Sequence, residues 1–600
     1  QSLYLSSNKI QKIENLDKLD KLQSLYLRNN QIQDLRPIKS LIIQNKLKLI
    51  LQEYNHNVKK GEINIYENPI TTPPLEIVEQ GHDAIMRWLE DAEKEEQIPL
   101  REAKLLIIGA GGVGKTSLMT KLQDADANLP EDAETTVGID VVQTPVPLSI
   151  DGDDYTLNIW DFGGQDVYHP THQFFLTKNS LYVLMEDGRE KKTDFYYWLQ
   201  VQELLAGKSP LLIVQNVKHG ASATIPINEL QGKFDNIQKS YDIDLSKVKK
   251  GSKAFEKIVD QLKVELKGLP HIGDIWLKNR YDIREALAAR KAENYIYTKE
   301  YHKICESFGF DDPDRQGDLL EQLHYLGTVL HFKGEPLLED IVIINPQWAT
   351  DAVYAILDHT AKHKEKKGVF TWRDLQAVWH EAKYQDCFME ILALMEKFEL
   401  AFELRDKKRT YIAPLLLPDD KPKYDWDASA NLQVIYAYDF LPKGILARLI
   451  VRLHDYVKDQ LFWKRGVVFE AKDCEAEVVE DYTGRSIHIR VRGKEAKFLV
   501  SLITREIDRI NGTYHFSDRI RAIKLVPCDC GACQERAKPH FYDYEDLQTR
   551  LRKGKKTIEC RISYDDVPVV RILNNIYVSF YIKIRMLIAT NKIDDCFRLL

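Results

Sequence analysis

The sequence predicts a multidomain α/β chain. It begins with the end of a repeat solenoid, continues into an α/β domain entered through a glycine-rich loop, and finishes in helical and mixed α+β segments. Three observations carry this reading. A leucine and asparagine pattern recurs 22 residues on near the start of the chain. A β-rich run at 104–108 leads straight into the glycine-rich stretch 109–116. The length of 600 residues exceeds the roughly 250–300 at which single cores stop growing, so about four domains are expected.

The repeat comes first. Leu3-Tyr4-Leu5 with Asn8, Ile10 and Ile13 recurs as Leu25-Tyr26-Leu27 with Asn30, Ile32 and Leu35. This is the leucine-rich repeat pattern, in which leucines face inward from a short strand and the asparagine bonds the next turn. A degenerate turn, Ile63-Asn64-Ile65 with Asn68-Pro69-Ile70, follows a polar insertion. Repeats depend on their neighbours for a core, so more of them are expected before Gln1. Pro73-Pro74 closes the solenoid, and Ile77, Ala84, Ile85 and Leu89 fall at helical spacing. The charged stretch 91–97 reads as a linker. The unit 1–92 is therefore expected to be repeats and cap.

Short β-rich runs then alternate with helical patterns from 104 to 272, the signature of a mostly parallel sheet. The expected strands are 104–108, 157–160, 181–185 and 211–215. Between the first strand and a helix stand Gly109, Ala110, Gly111, Gly112, Val113, Gly114, Lys115 and Thr116, with Ser117 next. This G-x-x-x-x-G-K-T spacing lets successive backbone N–H groups cradle phosphate, and the helix adds its positive end. Lys115 reaches the outer phosphates and Thr116 takes a place on Mg²⁺. Two further motifs suit a γ-phosphate sensor. Thr136, in Thr136-Val137-Gly138, can join the Mg²⁺ shell while the third phosphate is present. In Trp160-Asp161-Phe162-Gly163-Gly164-Gln165, Asp161 holds Mg²⁺, the Gly164 N–H meets the γ-phosphate, and Gln165 orients the attacking water. The expected catalytic residues are thus Gln165, Lys115 and Thr136. The base-reading motif departs from Asn-Lys-x-Asp. Asn216 is present, but Val217 replaces the lysine and His219 stands where the aspartate belongs. Ser246 and Lys247, before Gly251, supply the later contact with the base.

On these residues the chain resembles the Roco family: leucine-rich repeats, a Ras-like Roc GTPase domain, then a COR region. The Roc resemblance rests on residues 109–116 and 161–165, on Tyr168-His169-Pro170-Thr171-His172-Gln173-Phe174-Phe175, and on Tyr197-Trp198. The COR resemblance rests on Leu323-His324-Tyr325-Leu326-Gly327, Asn345-Pro346-Gln347-Trp348 with Asp351-Ala352-Val353-Tyr354, and Leu441-Pro442-Lys443-Gly444 with Arg448-Leu449. It looks most like bacterial or archaeal members. The resemblance implies a Ras-like P-loop GTPase domain at 101–275, a mainly helical COR-A at 281–425, a mixed COR-B at 430–573 and the start of a helical segment at 576–600. It also implies GTP binding, slow hydrolysis to GDP and COR-mediated homodimerisation linked to nucleotide state. No kinase signature accompanies Asp161-Phe162-Gly163.

Cys528, Cys530 and Cys533 cluster, with Cys560 further on. Four thiolates can hold a structural Zn²⁺, with His540 an alternative fourth ligand. Free thiols on a loop are the other reading. The remaining cysteines, Cys305, Cys387, Cys474 and Cys596, read as isolated thiols. Tyr295, Tyr297 and Tyr301 read as core, and the basic run 550–556 as a solvated helix end.

Composition removes several classes. With 44% hydrophobic and 29% charged residues the chain is an ordinary globular one. A net charge of −7 argues against a dedicated nucleic-acid binder. Apolar runs such as 341–344 are too short to span a bilayer, and 576–589 is interrupted by Lys583 and Arg585. Eight cysteines are too few for a disulfide scaffold and fit a reducing, cytoplasmic setting. The reading is a GTP-hydrolysing signalling switch whose repeats recruit a protein partner. The rivals are a constitutive repeat scaffold and an ATPase.

Overall fold

The computed structural model describes residues 1–574 apart from 15, 17, 52–59, 130–138, 142–145, 163–175, 177–179, 188–191, 218–224, 274, 427–431, 495, 515–520, 535 and 537. The N-terminal strands Ser2–Tyr4 and Ser24–Tyr26 pair in parallel, Leu3 opposite Leu25, and Glu62–Asn64 continues the sheet. Leu25, Leu27, Ile32, Leu35, Ile63 and Ile65 are buried beneath it. Asparagines tie the turns together. The Asn30 amide donates to the carbonyls of Leu5 and Leu27, 2.9 Å each, and accepts from Ile10 N–H at 3.1 Å. Asn68 repeats this one turn on, donating to Leu27 and Ile65 at 2.9 Å and accepting from Ile32 at 3.2 Å. One side chain thus satisfies backbone groups of two turns that sheet pairing leaves open.

Two expectations change here, and the polar insertion contributes helix Lys39–Asn45 and strand Lys48–Ile50, which takes the outer edge beside Glu62–Asn64. Its buried residues Leu41, Ile42, Leu47 and Leu49 are diluted among lysines and glutamines, which hid the pattern. The expected single cap helix is two, Leu75–Val78 and His82–Asp91, parted at Gly81, whose φ of +96° favours glycine. The charged stretch from Asp91 is no loose linker. Asp91 is buried and accepts from Arg280 and Arg315, both at 2.9 Å, while Arg87 meets Asp318 at 2.5 Å. The cap is thereby ion-paired to helices Lys278–Ala289 and Pro313–Tyr325.

The α/β domain is stitched at its base. Strand Gln97–Pro99, just before it, pairs antiparallel with Ile275–Leu277, just after it. Its sheet runs in the order Ile237–Ile243, Leu211–Asn216, Leu181–Glu186, Glu102–Ile108, Asp153–Phe162, Ile139–Val141. The first five are parallel to their neighbours, and Ile139–Val141 and Val146–Ile150 pair antiparallel with Asp153–Phe162. All four expected strands are present. Ile139–Val141, Val146–Ile150 and Ile237–Ile243 are additional; the last, at the sheet edge, is polar in the middle and shows no apolar run. One face, with Leu105, Ile107, Val183 and Val214, packs on helices Lys115–Gln123 and Lys253–Lys267. The other, with Leu106, Ile108, Tyr182, Leu184 and Ile213, packs on helix Lys192–Ala206 and belongs to one apolar core that continues into the rest of the chain.

The region after Leu277 is mainly helical, with Thr298–Ser307, Pro313–Tyr325, Pro346–Lys362, Trp372–Val378 and Phe388–Lys397 joined by short strands. Tyr301 is core and Tyr295 stacks on Trp348, with ring centroids 5.6 Å apart, but Tyr297 is 59% exposed, against expectation. A seven-stranded antiparallel sheet follows, in the order Val457–Trp463, Gly466–Ala471, Cys474–Asp481, Ser486–Gly493, Leu432–Tyr438, Ala522–Pro527, Phe541–Asp543, with helices Ile445–Arg452 and Ala496–Asn511 packed against it. Helix Ile445–Arg452 ends five residues before strand Val457–Trp463 begins. The described part of the chain ends in strand Asp566–Pro568 and helix Val569–Asn574. Among the described residues no helix is long and apolar enough to cross a membrane.

Candidate functional site

Strand Glu102–Ile108 delivers the chain into the glycine loop, and helix Lys115–Gln123 starts at its far end. Gly109, Gly112 and Gly114 hold φ of +138°, +79° and +102°. Two of these glycines also have no room for a side chain. A Cβ on Gly109 would lie 2.4 Å from the Met185 carbonyl oxygen, and one on Gly114 would lie 2.4 Å from Nδ2 of Asn216. The loop is therefore a tight turn that only glycine allows at these positions, and it leads directly into the helix start. Lys115 Nζ donates to the carbonyls of Gly109 and Ala110, at 2.9 and 2.5 Å, and so spans the loop mouth.

Thr116 and Asp161 meet across 45 residues of chain. The Thr116 hydroxyl donates to Oδ2 of Asp161 at 2.6 Å, and Asp161 is fully buried at the end of its strand. A hydroxyl and a carboxylate in contact at the head of a phosphate-binding helix are the donor set a hydrated Mg²⁺ takes, so the residues fit that ion. Asn216 sits behind the loop. Its amide donates to the Val113 carbonyl at 3.1 Å, and its Oδ1 accepts from Leu245 N–H at 3.3 Å. It braces the glycine loop against the turn Leu245–Lys247. In that turn the Ser246 hydroxyl and backbone N–H both donate to Asp244 Oδ1, at 2.5 and 3.1 Å. Lys247 pairs with Asp244 at 2.7 Å, so hydrogen bonds from Lys247 and Ser246 hold the Asp244 carboxyl below its ordinary value. Asp244 organises this turn, and sequence reasoning missed it; an acid two residues before Ser246 was the available signal. Ser117 lies in the first helical turn. Thr136, Gly164, Gln165 and His219 lie outside the described residues, as do Tyr168, His169, His172, Phe174 and Phe175.

The domain meets its successors at several places, among them the Glu102–Arg284 ion pair and the shared apolar core. Helix Pro346–Lys362 lies against strand Ile139–Val141, which leaves the segment carrying Thr136. Tyr197, on helix Lys192–Ala206, packs on Phe440 at 5.6 Å, and Lys443 stands over the Tyr197 ring at 4.7 Å.

Far from this loop, Cys528, Cys530, Cys533 and Cys560 come together, all buried, with their sulfurs within 4.8 Å of one another. His540 stays out of the cluster: its ring packs on Tyr542, and it contributes only a backbone N–H to Cys533 Sγ. Burial pushes the Cys528 and Cys533 thiols up, to about 12 and about 11. Burial also raises Cys560, but the backbone N–H groups of Ser563 and Ile562 outweigh it and bring that thiol down to about 6.

Four family descriptions match the chain. Residues 104–219 match "Ras of Complex, Roc, domain of DAPkinase". Residues 275–417 and 429–575 match "C-terminal of Roc, COR-A domain" and "C-terminal of Roc, COR-B domain". Residues 1–40 match "Leucine Rich repeats (2 copies)". A "Roc-COR-CHAT protease" of an unknown prokaryotic organism is 28% identical over 568 residues, covering 88% of this chain and 50% of that protein. A protein of the same name from Runella zeae is 28% identical over 485 residues, covering 75% and 50%. "Probable serine/threonine-protein kinase pats1" of Dictyostelium discoideum is 25% identical over 549 residues, covering 84% and 17%. The chain thus spans about half the length, or less, of these curated relatives. A solved structure, Methanosarcina barkeri Roco2 RocCORdC bound to GDP, is 31% identical, with 54% of this chain and 98% of that chain covered and a TM-score of 0.45. Leucine-rich repeats followed by Roc, COR-A and COR-B matches, in this order and over most of the sequence, make this chain a member of the Roco family.

Proposed function

We propose that the chain is a nucleotide-dependent switch that binds GTP, slowly hydrolyses it to GDP, and couples nucleotide state to COR-mediated dimerisation and to a protein partner on its repeats. The observation that carries this reading is the contact between Thr116 and Asp161 at the mouth of the glycine loop. Mg²⁺, when bound, neutralises charge on the β- and γ-phosphates. Thr116, Asp161 and, in the GTP state, Thr136 would hold it. Lys115 would bind the outer phosphates, Gly164 N–H the γ-phosphate, and Gln165 would orient the water. Residues 109–117 would enclose the phosphates, with Asn216, His219, Ser246 and Lys247 on the base side. Slow turnover suits a switch, because the GTP state must outlive one encounter with a partner.

The repeats support a partner role. Tyr4 and Tyr26 stack at 4.3 Å on the sheet face turned away from the repeat core, and Tyr4 is 67% exposed. Large amphipathic rings on a rigid sheet suit protein contacts.

The test is mass-spectrometric identification of the nucleotide retained by the purified chain, with a turnover assay and calorimetry. Lys115→Ala should abolish nucleotide binding, because it removes charge-assisted phosphate contacts. Unchanged affinity in that variant would move the reading to a constitutive repeat scaffold. Guanine preference over adenine should be weaker than with Asn-Lys-x-Asp, since a neutral imidazole offers one acceptor and a carboxylate two. A several-thousandfold preference for GTP in competition binding would show that another residue reads the base.

A further inference from the structure

We propose that Cys528, Cys530, Cys533 and Cys560 bind one structural zinc ion that fastens the end of the COR-B sheet to the hairpin beyond it. The spacing of the sulfurs is the first support. Cys560 Sγ lies 3.6 Å from both Cys530 Sγ and Cys533 Sγ, and all four sulfurs lie within 4.8 Å of one another. Zn–S bonds of about 2.3 Å in a tetrahedron put ligand sulfurs about 3.8 Å apart. The cluster therefore has the size of a single-ion site. It is too tight to enclose a multi-iron cluster, whose bridging sulfides fill the space between the cysteines.

The surroundings give independent support. Each sulfur receives a donor from outside the cluster. His540 N–H points at Cys533 Sγ at 3.5 Å, Ile562 N–H at Cys560 Sγ at 3.4 Å, the Tyr542 hydroxyl at Cys528 Sγ at 3.6 Å and the Ser563 hydroxyl at Cys530 Sγ at 3.5 Å. Metal-bound thiolates are weak acceptors that carry charge, and donors placed around them offset it. A chance meeting of neutral thiols in an apolar core has no need of one donor per sulfur. The carboxylate within the loop, Asp529, is turned to Arg571 at 2.5 Å.

The location supplies a structural need. Three ligands sit at the end of strand Ala522–Pro527 and on the short helix Gly531–Gln534; the fourth follows strand Thr557–Glu559. Among the described residues that strand pairs only with Asp566–Pro568, in a hairpin of three-residue strands. A two-stranded hairpin of this length has little stability in water. An ion shared with the sheet's end fixes it and the helix Val569–Asn574 that follows.

The full chain, purified without added metal or chelator, should contain about one zinc per chain by elemental analysis. Cobalt exchanged into it should show the thiolate charge-transfer and intense visible bands of a tetrahedral sulfur site. Cys530→Ser and Cys560→Ser should lower zinc to near zero, while Cys474→Ser, a buried thiol in another strand, should leave it. Because a serine variant can misfold, the wild-type zinc content and cobalt spectrum decide the matter without it. A folded, metal-free wild-type chain would overturn the proposal. So would iron in place of zinc, or a cobalt spectrum of octahedral type.

Discussion

Glu76 is only 6% exposed under the repeat cap, and burial raises its carboxyl to about 7. The unfolded chain loses that proton near 4.5. Between these values the folded chain binds the extra proton, so stability falls as pH rises from 4.5 to 7. Glu76→Gln should flatten that slope, stabilising the protein at pH 8 by up to about 3 kcal/mol with little effect at pH 4. Chemical denaturation at the two pH values checks this; equal effects at both would show that Glu76 titrates normally. The glycine loop and its helix start were legible because they follow from covalent spacing: Gly109, Gly114, Lys115 and Thr116 lie close together on the chain. Asn216 was legible as a motif but not as a brace. Its contacts with Val113 and Leu245 span 103 and 29 positions, and only folding brings them together.

Among elements, the seam between the repeat cap and COR-A was least legible, because a charged run at a domain boundary reads as solvated. Arg280 is 1% exposed, and burial lowers its guanidinium below the ordinary value against the pull of Asp91. Removing one member of a buried ion pair costs about 3–5 kcal/mol, whereas an apolar replacement of both is often neutral. Asp91→Asn should therefore destabilise the chain by roughly that amount, and the double variant Asp91→Leu/Arg280→Met should recover most of the loss. Urea denaturation measures both. An Asp91→Asn variant as stable as wild type would mean that neither the Arg280 nor the Arg315 contact contributes and the seam is solvated. The extra strand Lys48–Ile50 escaped notice for a related reason: three residues with one buried position carry too little periodicity to detect.

For the molecule as a whole, domain order was legible from motifs, whereas the continuity of the core was not. Leu106, Ile108 and Tyr182 share one apolar cluster with Trp348, Val353 and Ile450, a fact about three-dimensional adjacency. That continuity places a packed apolar path between the Roc sheet and the COR helices. Nucleotide state should shift the monomer–dimer equilibrium by about 1–3 kcal/mol, with the GTP-like state favouring monomer and the GDP or nucleotide-free state favouring dimer. Light scattering with a non-hydrolysable GTP analogue, with GDP and without nucleotide tests this. Identical dissociation constants in all three would uncouple the site from assembly.

The strand pair Gln97–Pro99 and Ile275–Leu277 has a mechanical corollary. A domain whose entry and exit are bonded to each other is like a loop of rope tied at its neck: pulling or twisting within the loop does no work on the line beyond the knot. Rearrangement around the nucleotide would then reach the rest of the chain sideways, through the shared core and through contacts such as Tyr197 with Phe440 and Lys443, or helix Pro346–Lys362 beside Ile139–Val141. A pair of spin labels flanking the neck should report one distance in every nucleotide state. A pair spanning the Tyr197 contact should report more than one.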